Sequence, residues 1–155
     1  MKETARIADQ LERAYSRNAW HGPSVRELLE GVTAEQAAKR PAADAHTIWE
    51  LVLHITVWDR IVSERLISGT TSHPPPEVNF PLISDISAAA WKETLSELDR
   101  QHRALMEAIE KFPEAKLDAE LPGGDYTYYV TMHGAVQHDL YHAGQIAILK
   151  KMVSK

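Results

Sequence analysis

Apolar residues recur along this chain mostly at three- and four-residue intervals, and no run of apolar/polar alternation is long enough for a strand, so helices are the expected elements. Between residues 3 and 19, Ile7, Leu11, Ala14, Tyr15 and Asn18 fall on one face of a first helix. Trp20 to Pro23 interrupts it, and two short segments, Ser24 to Gly31 and Thr33 to Arg40, make an elbow that Pro41 closes. Thr47 to Glu50 spells a capping box, in which the hydroxyl and the carboxylate each satisfy a backbone N–H left over at a helix start. A second long helix therefore begins there and runs through Leu51, Ile55, Val62 and Leu66 to Ser68, with Gly69 at the left-handed terminating position.

Residues 70 to 84 include Pro74, Pro75 and Pro76 and are predicted to be neither helix nor central strand. At about 3.3 Å per residue this linker spans about 50 Å, enough to return along a bundle. In the third helix Trp91, Leu95, Leu98, His102, Leu105, Ile109 and Phe112 recur at intervals of four and three, and Pro113 ends it. After Pro122, Gly123 and Gly124, Thr127 caps a fourth helix that runs to about Met152, with Lys150 and Lys151 near the negative end of its dipole. Four helices of about 17 to 26 residues without strands or repeats predict an all-α four-helix bundle.

Composition narrows the function rather than the fold. A chain of 155 residues is the size of one domain spanning residues 1–155, and 44% apolar with 25% charged residues excludes a disordered or fibrous chain. The 17 basic and 22 acidic side chains sum to −5 with no basic stripe, so nucleic acid is not an expected partner. The absence of Cys removes disulfides, thiolate metal sites and a Cys nucleophile together. No Ser-His-Asp order, Gly-rich phosphate loop or paired-carboxylate motif stands out. The N-terminal MKETARIADQ lacks an apolar signal core, and the most apolar run, IWELVLHITVW, holds Glu50 and His54 and is well short of about 18 residues. The expectation is a cytoplasmic, unprocessed protein away from membranes.

Eight His residues are the one compositional oddity. His138 and His142 stand four apart in the fourth helix, one turn from each other on one face, where two imidazoles can share a metal ion. The competing reading is a pair of polar residues at a solvated helix edge. Gly134, one turn earlier, keeps side-chain volume clear of that face at a cost of about 1 kcal/mol to the helix. The HDLYH segment also resembles the zinc-protease motif with Asp139 in place of the Glu that acts as base, but residues 143–155 contain no His, Asp or Glu to complete such a site.

A third ligand must come from upstream. His133 lies on the opposite face, and His21, His46 and His73 sit at element ends or in the linker, where solvated or capping roles are the ordinary ones. His54 and His102 remain. His54 is flanked by apolar residues and needs a partner if buried, because an unsatisfied polar group costs about 1–3 kcal/mol; His102 interrupts an apolar stripe, where a hydrogen-bonded structural His is the ordinary reading. Periodicity and axial position leave both open.

The segments IWELVLHITVWDR and HGAVQHDLYHAGQIAILKK, with the order of four helices and the long linker between the second and third, resemble the DinB-like (YfiT-type) family of small metal-binding helical bundles. The resemblance covers nearly the whole chain. It implies that His54, His138 and His142 are the metal ligands, an up-down-down-up bundle with its long crossover between helices 2 and 3, and homodimers. Characterised relatives include metal-dependent S-transferases and isomerases that use low-molecular-weight thiols.

Three neutral imidazoles leave positions on a divalent ion for water or substrate, the open arrangement of catalytic sites, and all-nitrogen ligation favours Zn or Ni. Such an ion lowers the pKa of bound water toward about 7, or holds a substrate thiol as thiolate. Glu50 and Gln145, each one turn from a candidate ligand, are placed to accept a second ring N–H or to meet substrate, Glu50 competing with its capping role. Trp58 is a candidate pocket wall or core residue, and Tyr141 a candidate hydroxyl at the pocket rim. The expected function is a metal-dependent, thiol-using S-transferase acting on a small molecule. The alternatives are a metal-binding bundle without turnover and a metal-dependent hydrolase.

Overall fold

The computed structural model describes residues 1–16, 18–70 and 73–154. Among them the regular elements are helices: α1 (Glu3–Tyr15), α2 (Val25–Leu29), α3 (Ala34–Ala38), α4 (Ile48–Ser68), α5 (Pro76–Asn79), α6 (Ala88–Lys111) and α7 (Tyr128–Val153). A 3₁₀ turn, Glu114–Lys116, and one β-bridge between Glu120 and Thr127 lie between α6 and α7.

Capping chemistry sets most of the starts. Ser24 with Glu27, Thr33 with Gln36, and Thr47 with Glu50 each form a reciprocal capping box, while Ser87 and Thr127 cap α6 and α7 through their hydroxyls. Gly69 ends α4 in the left-handed region at φ 72°. Two expectations need correcting. The first helix stops at Tyr15 rather than 19: Asn18 is exposed with φ 62°, a conformation Asn tolerates and a helix does not, and residue 17 lies outside the described residues. Tyr15 anchors that end by donating its hydroxyl to Asp99 Oδ1 at 2.6 Å.

The second correction is in the linker. Pro76 starts a helical turn instead of preventing one, because a first-turn position needs no N–H; the carbonyl of Pro75 accepts from both Val78 and Asn79 at 2.9 Å. Residues 71 and 72 of that linker lie outside the described residues.

The long helices pack in the pairs α1–α6, α6–α4, α4–α7 and α7–α1 around two hydrophobic clusters. One cluster gathers Leu51, Ile55, Leu98, Ile146 and the elbow residues Val25 and Leu29; the other gathers Ile7, Leu11, Val62, Leu105, Ile109 and Met132. Among the sequence positions between them, Asp59 on α4, His102 on α6 and Asp139 on α7 are polar and buried. No helix among the described residues is long and apolar enough to cross a membrane.

Candidate metal centre

Helix α4 brings His54, and α7 brings His138 and His142, to one point. The Nε2 atom of His138 lies 3.0 Å from Nε2 of His54 and 3.1 Å from Nε2 of His142, and one ligand nitrogen from each ring lies within 4.8 Å of the others. Zinc bound at about 2.0–2.1 Å from each of two nitrogens in a tetrahedron sets them about 3.3 Å apart, close to this spacing. The protons on the far side of two rings are fixed. His54 Nδ1 faces the carbonyl oxygen of Asn79 at 3.0 Å, and His142 Nδ1 faces the amide oxygen of Gln145 at 2.6 Å. An oxygen of either kind can only accept, so both Nδ1 atoms donate and a neutral ring leaves Nε2 as an unshared electron pair.

Two such pairs therefore point into the same small volume as His138. Burial, the first cause for each ring, pushes all three below the usual imidazole pKa, and the neighbouring rings take His138 down to about 3. The fold thus gathers three imidazole Nε2 atoms at one point, where a divalent cation can engage all three at once while a proton bridges at most two. Among the described residues no further His, Asp or Glu joins the group.

The structure places the other sequence candidates unevenly. Gln145 orients His142, and a cavity of about 400 Å³ over the imidazoles is lined by Trp58, Tyr141 and Gln145. Tyr141 is 66% exposed at its rim, with its ring 5.1 Å from that of His142. Glu50 does not line it: its carboxylate accepts from the Thr47 backbone N–H and pairs with Arg40, so the carbonyl of Asn79, not Glu50, accepts the second ring N–H of His54. His102 is elsewhere, stacked on Tyr15 at 3.7 Å with Nε2 3.2 Å from Glu12. Asp139 is 0% exposed in the core and is not among the residues lining the cavity.

Three participants were not anticipated. Phe80 stacks on His54 at 4.4 Å and on His46 at 4.1 Å, and His46, a solvated residue with its side chain 48% exposed, also lines the cavity. Asn79 accepts from His54 through its backbone and from Trp58 Nε1 through its side chain at 2.9 Å. The only signal for them was Pro76, a residue suited to the first turn of a helix that would end at Asn79.

A profile of the DinB superfamily matches residues 18–146, most of the chain and all three His. The chain belongs to the DinB superfamily. A three-His cluster in a DinB chain is compatible with metal binding. No curated protein matches the sequence. Among solved structures, one described as the crystal structure of the conserved protein of locus from Enterococcus faecalis has a similar fold, with a TM-score of 0.74 at 17% identity over 99% of this chain and 98% of that one.

Proposed function

We propose that this DinB protein binds a divalent metal, zinc or nickel, through His54, His138 and His142, and uses it as a thiol-dependent S-transferase on a small molecule. The observation that carries the metal reading is the convergence of three Nε2 atoms, with the rings of His54 and His142 held from behind by Asn79 and Gln145. What supports catalysis over a closed structural site is the cavity above the cluster together with a ligand set of three. A bound divalent ion supplies Lewis acidity, bringing a water or thiol near deprotonation at neutral pH. The chain's own residues position: Phe80 fixes the plane of the His54 ring, Trp58 closes one side of the cavity, and Tyr141 offers a hydroxyl at the entrance. Since the chain has no Cys, sulfur must arrive with a substrate.

The proposal includes one domain with the long helices in up-down-down-up order. It is supported by the order in which each helix visits the two clusters, α4 and α6 passing from Leu51 and Leu98 to Val62 and Leu105, α1 and α7 passing from Leu11 and Met132 to Tyr15 and Ile146. A homodimer is also proposed, supported by exposed Tyr141, Ile148 and Met152 on α7; light scattering at micromolar concentration checks it.

Metal analysis of untagged protein tests the site. His54→Ala and His138→Ala are expected to lose most of the bound metal, and His133→Ala, on the opposite side of α7 against Tyr129, to retain it. Equal metal in all three refutes the assignment. A screen of low-molecular-weight thiols with electrophilic acceptors then tests the transferase; turnover of esters or amides without thiol turns the reading to a hydrolase.

A further inference from the structure

A second cavity, of about 350 Å³, opens between α4 and α7 and shares Trp58 and His138 with the cavity at the three imidazoles. Its size falls in the range of pockets that hold small ligands, which are mostly apolar with a few placed polar groups. Val62, Val130 and Ala135 supply apolar wall, and Gly134 supplies no side chain at all. A Cβ built on Gly134 would meet nothing within 4 Å. No neighbouring element therefore requires that glycine; what its missing side chain does is keep the groove clear beside His138, one turn away.

Arg65 also lines this cavity, its guanidinium 5.4 Å over the Trp58 ring. A guanidinium carries five N–H donors in a planar fork suited to a carboxylate. Asp59 on the same wall does not oppose an anion as a charged group would, because burial and Asp139 push its carboxyl toward the neutral form.

Building on the metal-centre reading above, we propose that this groove seats the acceptor substrate, a small molecule with an apolar aryl or branched-alkyl body and a carboxylate end. The body lies against Trp58, Val62 and Val130, the carboxylate faces Arg65, and the reactive end lies beside His138. The thiol then enters by the other cavity, past Tyr141 and Gln145, and the two substrates meet across Trp58 and His138.

Calorimetric titration with 3-phenylpropionate and with its neutral amide, on zinc-loaded and on EDTA-dialysed protein, tests this. The carboxylate is expected to bind both forms more tightly than the amide. Gly134→Leu should weaken it at least tenfold while zinc per chain is unchanged, and Arg65→Gln should reduce it to the affinity of the amide. Should the Leu variant fold poorly by circular dichroism, Val130→Trp, at a position already 45% exposed, blocks the same groove from its rim and carries the same expectation. Undetectable binding by the wild type, equal affinity for acid and amide, or unchanged binding in the blocked variants overturns the proposal. Failure of the metal reading shows separately, as wild-type protein that retains no zinc yet binds the carboxylate in its EDTA-dialysed form.

Discussion

Replacing Gly134 with Ala adds one methyl group to α7 where the structure leaves open space, so backbone preference alone decides the outcome. Ala is favoured over Gly in a helix interior by about 1 kcal/mol, and no steric term opposes it. For 155 residues at about 2.1 cal/mol/K each, the unfolding entropy near the melting temperature is about 0.33 kcal/mol/K, so Tm should rise by about 3 °C. Gly144, on the same helix and also with nothing within 4 Å of a built Cβ, is the matched control and should give a similar rise. Gly69→Ala should go the other way, because φ is 72° and the new Cβ would sit 3.4 Å from the Tyr128 hydroxyl; the left-handed conformation costs a non-glycine residue about 1–2 kcal/mol. Calorimetric melts of the three variants, all dialysed against EDTA so that metal occupancy cannot shift Tm, decide it. A Gly134→Ala protein that melts below wild type while Gly144→Ala melts above it would show that Gly134 serves close packing, and the open groove beside His138 would be refuted.

Other expectations concern the centre and the polar layer of the core. Gln145→Ala removes the acceptor that holds His142 and should weaken zinc binding about 10- to 100-fold in a competitive chelator titration, whereas Glu50→Ala should leave zinc affinity unchanged and lower stability by about 1 kcal/mol through the cap. The reverse pattern would restore Glu50 to the site. Burial pushes Asp139 up to about 8, above its usual 3.8. A carboxyl raised in this way contributes its stability in full below pH 3.8 and loses it as pH rises toward 8, at up to about 1.4 kcal/mol per unit. Asp139→Asn in EDTA-dialysed protein should therefore gain on wild type in urea melts as pH goes from 5 to 8; a gap that stays constant contradicts the buried, neutral carboxyl.

The features legible in the sequence follow from local physics. The start of α4 at Thr47 and its end at Gly69 rest on hydrogen bonds and dihedrals spanning four residues, and the shared face of His138 and His142 rests on helical geometry alone. The errors in the helical reading were local as well: Asn18 has an apolar stripe's spacing but not a helix's backbone, and a run of prolines hides a first turn that proline can open.

The choice between His54 and His102 could not be made locally, because both interrupt apolar stretches near the middle of long helices and only the packing of α4, α6 and α7 turns one toward His138 and the other toward Tyr15 and Glu12. Asn79 and Phe80 reach His54 across 25 and 26 positions of chain, through a linker with no period to announce them. Neighbours along the backbone set the start and end of α4 and which two imidazoles travel together, so those features are legible in the amino-acid order alone. Which third ring joins them, what holds two of the rings from behind and where open volume remains depend on side chains brought together from distant positions, and so emerge only on folding.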